Sequence, residues 1–166
     1  MVTQQHNPQF SLLQEKIKEI GSAIFYNLSD SVLKLPTSIV STLHVDDYGF
    51  VWFSMKKPRQ HVKEFEAEFP VRLDYFKKGA GAFLQVSGKG WMVNDPEEMS
   101  VLQLDAQEVN SLASQEAVLV KVKILKADVY ETHSTGRKKR WTSWLTNFTS
   151  WFRNNQYRPH SYYPAS

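Results

Sequence analysis

Apolar and polar residues follow two rhythms along this chain, one typical of helices and one of strands. Phe10, Leu13, Ile17 and Ile20 recur at three- and four-residue steps, which predicts an amphipathic helix that Gly21 ends. Short runs rich in β-branched and aromatic residues follow, separated by turn sequences. The predicted strands are 22–28, 37–45, 50–54, 71–76, 82–93 and 117–130.

The clearest hairpin signal joins the second and third predicted strands through Asp46–Gly49, whose acidic residues and glycine are typical of a turn. In 82–93, Gly88 and Gly90 predict a bulge or a sharp bend. Strict alternation over 37–45 would place Ile39, Ser41, Leu43 and Val45 on one face and Val40, Thr42 and His44 on the other.

Two further helices are predicted between strands. Pro58 suits the first turn of a helix, and apolar residues at helical spacing continue to Phe69, so 58–69 is predicted as a short helix that Pro70 ends. Asp95 and Pro96 form a helix start, and a helical pattern extends to about Leu112.

The order of these elements predicts the fold class. Short strands joined by hairpin turns dominate the middle of the chain, which indicates a mainly β fold, an antiparallel barrel with flanking helices, rather than a doubly wound parallel sheet. We expect the barrel domain to occupy 1–132 and a separate basic, aromatic tail to occupy 133–166.

Composition excludes several kinds of site. The chain has no cysteine, so disulfides, thiolate metal sites and cysteine nucleophiles are excluded, and its five histidines show no metal-ligand spacing, so no metal is expected. No stretch approaches the roughly 18 to 20 apolar residues that span a bilayer. Met1–Gln9 lacks the apolar core of a secretory signal, so a cytoplasmic location is expected.

Charge is distributed unevenly along the chain. Of its 20 Lys and Arg residues, six lie in 132–166, a segment without carboxylates, so 14 remain against 17 Asp and Glu before it. Such an offset indicates either an acidic partner for the tail or simply a solvated tail.

The segment Ser54–His61 combines a strand end, a basic loop and a predicted helix start. Free N–H groups at a helix N-terminus attract phosphate. Lys56, Lys57 and Arg59 would add charge-assisted donors, and Ser54 would add a hydroxyl. These residues therefore predict a binding site, or seat, for one phosphate monoester. The alternative is that they are exposed turn residues that keep the loop soluble.

The ordered series of these segments resembles the pyridoxamine 5'-phosphate oxidase-like, FMN-binding split-barrel family, particularly its short members called general stress proteins. The series comprises Ser38–Leu43, the Asp46–Gly49 turn, Phe53-Ser54, Arg59–Val62, Phe69–Leu73 and Gln85–Gly88. The resemblance implies a six-stranded antiparallel split barrel that binds FMN.

The same resemblance implies which residues touch the flavin. His61 departs from the family pattern, which usually has Lys there. The implied cofactor-binding residues are Ser38, Val40, Ser41, Thr42 and Leu43 along the ring, Phe53 and Ser54 near the ribityl chain and phosphate, Lys57, Arg59 and His61 at the phosphate, and Gln85 facing the flavin or its neighbouring loop.

Function is implied only in outline. The resemblance suggests a flavin-dependent oxidoreductase of unknown substrate, working as a homodimer with flavin sites between the subunits. A non-catalytic protein that binds flavin, deazaflavin or haem in a stress-related role is the alternative. No general acid or base is evident, and His44 is a candidate by residue type only.

The tail carries one apolar, aromatic helical face, formed by Trp141, Trp144, Leu145, Phe148, Trp151 and Phe152. Arg137–Arg140 precedes it. A helix packed on its own barrel or on a partner subunit is favoured, because relatives are dimers, and Trp141 and Trp144 could then cover the neighbour's flavin. Peripheral membrane contact through 137–152 and nucleic-acid binding are the less favoured alternatives.

The end of the chain offers one weaker similarity. Full-length pyridoxamine phosphate oxidases end with an Arg-x-His that touches substrate, which Arg158 and His160 resemble. The alternative is a disordered end.

Overall fold

The structure, a computed structural model, describes residues 8–79, 81–100, 102–132 and 138–141. Its helices are α1 (Pro8–Ile20), α2 (Pro96–Ser100) and α3 (Ala106–Ala113), with a single 3-10 turn at Val62–Glu64. Its strands are β1 (Ser22–Asn27), β2 (Ser38–Val45), β3 (Phe50–Lys56), β4 (Phe69–Phe76), β5 (Ala82–Val93), β6 (Ala117–Thr132) and β7 (Lys138–Trp141).

The first six strands close into an antiparallel barrel. Their order is β3-β2-β1-β4-β5-β6, and a further pairing of β3 with β6 closes the ring. The seventh strand, β7, adds to the far end of β6, where Trp141 pairs with Val129. The predicted fold class, a six-stranded antiparallel barrel with flanking helices, is therefore confirmed.

The barrel interior follows from the two-residue period of the strands. In β4, Phe69, Val71, Leu73 and Tyr75 are all buried, and the residues between them are not. Burying each large apolar side chain contributes about 1.5–3 kcal/mol. The stripe of α1 that the sequence predicts joins the same core, so the helix packs against the barrel rather than standing apart.

Each end of the barrel is covered by a different kind of element. Helix α1 covers the end that carries the β2–β3 turn, where Gln14 Nε2 donates to the Asp46 carbonyl at 3.0 Å. The loops 28–37 and 57–68 cover the other end and bury Leu35 and Phe65. These two loops are joined by a 2.6 Å hydrogen bond from Ser29 Oγ to Glu66 Oε2.

A second apolar cluster lies outside the barrel, beneath the segment that contains α2 and α3. Trp52, Val93, Leu102 and Leu119 form it. The outer face of β3 and β6 is therefore covered on this side by the α2–α3 segment. None of the helices in the described part of the chain is long and apolar enough to cross a membrane.

The helix predicted over 58–69 is wrong. Only Val62–Glu64 is helical, as one 3-10 turn closed by the Phe65 N–H on the Val62 carbonyl at 3.2 Å. Phe69 begins β4 instead, because it belongs to the two-residue period of that strand. Pro70 lies within the strand, and its carbonyl accepts from the Leu28 N–H at 2.9 Å.

The single helix predicted from Asp95 to Leu112 is two helices. Asp105 starts the second in a capping box with Glu108: its side chain accepts from the Glu108 N–H, and the Glu108 side chain accepts from the Asp105 N–H. Buried Leu102 lies between the helices, so the break lets that side chain enter the second cluster.

The start of the predicted tail helix is also wrong. Lys138–Trp141 forms strand β7, paired with Val129–Thr132, so Trp141 is extended rather than helical. Trp144 and the rest of the proposed helical face lie outside the described residues. The division of the chain at Thr132 stays a prediction, although β6 ends at that residue.

One stability prediction follows from the irregular pairing of β5 with β6 at Gly88. The pairing skips Leu125, so the extra residue lies in β6 rather than in β5, where the bulge or bend was expected. The β5–β6 register shifts between Ser87 and Gly88. A Cβ on Gly88 would lie 1.9 Å from the Lys123 carbonyl oxygen, a backbone atom. We expect Gly88→Ala to lower the free energy of unfolding by about 3 kcal/mol, measured by urea denaturation.

Ser87→Ala is the matched control at the same bulge and should change the free energy of unfolding by less than about 1 kcal/mol. An unfolding midpoint of Gly88→Ala equal to that of the unmodified protein would contradict the observed close approach of the strands.

Candidate functional site

Strands β2 and β3 separate at one end of the barrel. They pair only from Thr42 to Val45, opposite Val51–Phe53. Strand β3 continues to Lys56 with β6 as its partner, and Ser38–Ser41 continues with β1. Among the described residues, Ser38–Ser41 has no strand partner on its β3 side. We call this gap the split; it lies at the barrel end that carries the 57–68 loop.

A bulge marks the point where pairing stops. The register shifts between Thr42 and His44, so Leu43 and His44 share the place opposite Trp52. Because of the extra residue, Val45 is buried in the barrel core, whereas Ile39, Ser41 and Leu43 are not. The prediction that Val45 shares a face with these three residues is therefore wrong, and the predicted alternation holds only before the bulge.

The two faces of β2 at the split differ in character. Ile39 is 79% exposed, and Ser41 is exposed beside it on the outer face. Val40 is buried inside the barrel, and Ser38 is half-buried on the same side, its Oγ without a hydrogen-bond partner in the described structure. A ligand lying against the outside of β2 would therefore meet the side chains of Ile39 and Ser41.

Thr42 points inward and holds a buried tyrosine. Its Oγ1 and the Tyr75 hydroxyl are 3.0 Å apart and form a hydrogen bond. Burial raises the pKa of Tyr75 well above its usual value, with the Thr42 hydrogen bond as a smaller opposing effect. Thr42 therefore fixes the start of the split from inside the barrel.

The end of β3 repeats this division between faces. Phe53 is fully buried in the core, where its ring lies 5.4 Å from that of Phe25. Ser54 lies on the opposite, outer face, since it pairs with Leu119 of the second cluster. Of the two residues predicted near a ribityl chain, only Ser54 presents its side chain outside the barrel.

Beyond Ser54 the basic loop forms one wall of a shallow hollow. The opposite wall comes from the end of α3 and the start of β6. The residues lining this hollow, which we call the cationic hollow, are Lys56, Lys57, Pro58 and Arg59 facing Ser111, Gln115, Glu116 and Ala117.

The cations of the hollow are not paired with carboxylates. In the part of the chain that the structure describes, Lys56, Lys57 and Arg59 take part in none of the salt bridges. Lys57 Nζ donates instead to the neutral Gln115 Oε1 at 3.2 Å, and the Lys57 N–H donates to the Glu116 carbonyl at 2.9 Å. The cationic hollow therefore concentrates positive charge that an anion would balance.

His61 has a local role in the structure. It is exposed, and its Nδ1 accepts from the Lys63 N–H at 3.4 Å, which caps the 3-10 turn. The long helix whose N-terminus was expected to attract phosphate does not form, so side chains rather than a helix end supply the positive charge here.

Gln85 lies apart from the split, on the outer face of β5. Its Nε2 donates to Asp74 Oδ1 at 3.1 Å, and Asp74 also faces Arg72, whose Nε lies 3.3 Å away. The Arg72 guanidinium stacks 4.3 Å from the centre of the Tyr26 ring. Within this chain, Gln85 is therefore part of a polar cluster on the sheet rather than of the cationic hollow.

Several expected residues cannot be placed at the site. Trp141 ends β7, next to Val129 at the far end of β6. Trp144, Arg158 and His160 lie outside the described residues.

Across the described ranges, no group of three or more His, Asp or Glu residues is arranged to hold a metal ion.

The sequence analysis did not identify the wall formed by Ser111 and Gln115. A serine within a helix and a glutamine just after it carry no signal of their own. Only the packing of α3 against β6 brings them opposite the basic loop.

Comparisons with known proteins agree with this geometry. No protein-family model matches the sequence, and no curated protein matches it. Solved structures do match, among them a general stress family protein from Xanthomonas campestris, at 16% identity over 79% of this chain and 93% of that one, with a TM-score of 0.59. A general stress FMN/FAD binding protein from Xanthomonas citri matches at 19% identity over 75% and 92%, with a TM-score of 0.57.

A third matching structure carries both the general stress protein name and the pyridoxinephosphate oxidase family name. It is a Clostridium acetobutylicum protein related to general stress protein 26 of B. subtilis and placed in the pyridoxinephosphate oxidase family. It is 13% identical, over 81% of this chain and 96% of that one, with a TM-score of 0.57. At such identities the similarity concerns the fold, and this chain has the split-barrel fold of these general stress and pyridoxinephosphate oxidase-family proteins.

Proposed function

We propose that this chain binds FMN at the split, with the flavin ring against the outer face of β2 and the phosphate in the cationic hollow. The observation that carries the proposal is a group of three cations, with which no carboxylate of the described structure forms a salt bridge, beside an unpaired strand edge. Ser54 lies on β3 between the two features and would face the ribityl chain.

The hollow suits a phosphate for electrostatic reasons. Lys56, Lys57 and Arg59 lie within four residues of sequence, so they repel one another, and no carboxylate of the described structure pairs with them. A phosphate removes this repulsion and accepts charge-assisted hydrogen bonds from all three.

The split suits a flat ring that carries hydrogen-bonding groups along one edge. Backbone N–H and C=O groups on an unpaired strand edge are available to form hydrogen bonds with a ligand. The flavin ring system offers both donors and acceptors, and exposed Ile39 offers an apolar contact. A related structure, the Xanthomonas citri general stress protein, is described as FMN/FAD binding, which supports a flavin here.

Residues inside the barrel would support the site without touching the flavin through their side chains. The two strand ends would be held apart by the inward-facing side chains of Val40, Thr42 and Phe53, together with half-buried Ser38. Ile39, Ser41, Leu43 and Ser54 would make the side-chain contacts, with Lys57 and Arg59 at the phosphate.

A bound flavin would supply hydride or electron transfer at its ring. We therefore propose a flavin-dependent oxidoreductase, in which the protein orients the ring and anchors the phosphate.

We also propose that the flavin site is completed by a second copy of the chain. Ile24 pairs directly with exposed Ile39 on the outside of the barrel, and Phe76, 64% exposed, lies two residues along β4 from the partner of Ile24. This sheet face, which carries Asp74 of the polar cluster as well as the apolar side chains, reaches the split, since Ile39 belongs to both. A second copy covering it would also cover one side of the flavin ring.

Phosphate recognition can be tested by comparing FMN with riboflavin, which lacks the phosphate. We expect Lys57→Gln and Arg59→Gln each to weaken FMN binding about tenfold and to leave riboflavin binding unchanged, since each removes one charge-assisted contact. Quenching of flavin fluorescence measures both affinities.

Lys63→Gln is the matched control, because Lys63 is an exposed lysine a few residues further on that does not line the hollow. It should leave FMN binding unchanged. An unmodified protein that binds FMN no better than riboflavin would refute the phosphate seat, and one that binds neither would refute the flavin proposal.

The catalytic part of the proposal has its own test. The FMN-loaded protein, mixed anaerobically with NADH or pyridoxamine 5'-phosphate, should lose its yellow absorbance as the donor reduces the flavin. Oxygen, once restored, should accept these electrons, return the yellow colour and allow multiple turnovers. A flavin that neither compound reduces would favour the non-catalytic alternative, a protein that holds flavin as a sensor or store.

The dimer is tested by placing a charge among the apolar side chains of the sheet face that carries Ile24, Ile39 and Phe76. We expect Phe76→Asp to convert a dimer into a monomer, because a buried, unpaired carboxylate is strongly unfavourable in an interface. Light scattering during size-exclusion chromatography measures the mass. Val32→Asp, at a residue 97% exposed in the β1–β2 loop, is the control; an unmodified protein that is already monomeric would contradict the proposal.

A further inference from the structure

We infer that Gln115 is a positioning residue of the phosphate seat: its side-chain carbonyl holds the Lys57 ammonium in the cationic hollow without neutralising it. This inference rests on the proposed binding of FMN. It assigns to α3, which the sequence analysis did not connect to the flavin, a part in phosphate recognition.

The backbone of Gln115 is the first observation. Its φ is 59°, and it is the only residue other than glycine with a positive φ in the described ranges. It follows Ser114, the C-cap of α3, and the Gln115 and Glu116 N–H groups donate to the Leu112 and Ser111 carbonyls, each at 3.1 Å. This is the position after a helix where glycine is the preferred residue.

The side chain supplies the second observation. Gln115 Oε1 accepts from Lys57 Nζ at 3.2 Å, and the next residue, Glu116, accepts the Lys57 backbone N–H at 2.9 Å. The basic loop is therefore attached to the end of α3 at both its backbone and its side chain. A glycine at 115 would fit the turn better but would lose the first of these contacts.

A neutral amide is suited to this task. The lysine ammonium has three N–H donors, and the Gln115 carbonyl occupies one of them. The positive charge and two donors remain for a phosphate. A carboxylate at the same place would form an ion pair with Lys57 and oppose the anion.

A purely structural role for the contact predicts different behaviour. If Lys57 served only to stabilise the C-terminal end of α3, as cations do at that end of a helix, a carboxylate at 115 would strengthen the contact. Such a change would then leave flavin binding as it is.

The test compares Gln115→Glu and Gln115→Gly in the full chain, measuring FMN affinity, riboflavin affinity and Tm. We expect Gln115→Glu to weaken FMN about tenfold and Gln115→Gly to weaken it about threefold, with riboflavin affinity unchanged in both. Gln115→Gly should also raise Tm by about 2–4 °C, because glycine relieves the left-handed backbone. Gln107→Glu, the same chemical change on exposed α3 surface, should alter neither affinity.

The outcomes separate the two proposals. If the unmodified protein prefers FMN over riboflavin and both Gln115 variants keep that preference, the role of Gln115 is overturned and the flavin proposal stands. Equal losses of FMN and riboflavin would also overturn it, since they would indicate damage to the ring site. If the unmodified protein binds neither flavin, the proposed function fails, and the positioning role fails with it.

Discussion

The incomplete pairing of β2 with β3 is the constraint on which the candidate site depends. A closed barrel normally leaves no free strand edge. Here β6 pairs with the whole length of β3, whereas β2 pairs with β3 only from Thr42 onward and leaves Ser38–Ser41 unpaired on that side. The bulge at Leu43 and His44 turns the strand, and the Thr42–Tyr75 hydrogen bond anchors the turning point in the core. The protein thereby keeps unpaired backbone at a fixed place on the barrel.

The loop that follows β3 places charge next to that free edge. The first residues of this loop lie opposite the end of α3, so the loop's cations line the cationic hollow. Although Glu116 lines the same hollow, no salt bridge of the described structure joins a carboxylate to these cations, whereas Lys89, Lys121 and Lys126 elsewhere on the barrel each lie within 2.9 Å of a carboxylate oxygen. An anionic ligand could therefore pair with these cations without displacing an internal salt bridge.

Much of the fold could be predicted from the sequence, because it depends on local periodicity. The α1 stripe, the Asp46–Gly49 turn and the alternation of β6 are each visible in a few consecutive residues. The errors arose where a distant partner decides the local structure. Phe69 fits a helical spacing with Phe65, yet its pairing with Gly90 makes it a strand residue. Lys138–Trp141 is extended because an edge of β6 is open to it.

The site could be predicted only in part, for a related reason. A basic loop after a strand is a sequence feature, so Lys57 and Arg59 could be found directly. Alternation separates Val40 and Thr42 from Ile39 and Ser41, but it does not show which of the two faces points outward, since the bulge moves Val45 to the face opposite the one that alternation assigns. Gln115 lies 58 residues from Lys57, and nothing near it in the sequence indicates their contact.

A crystal structure of the protein grown with FMN tests the central claim most directly. We expect the phosphate to lie within hydrogen-bonding distance of Lys57 and Arg59, and the ring to lie along the outer face of Ser38–Leu43. Flavin bound elsewhere on the barrel, or crystals that stay colourless in saturating FMN, would contradict it.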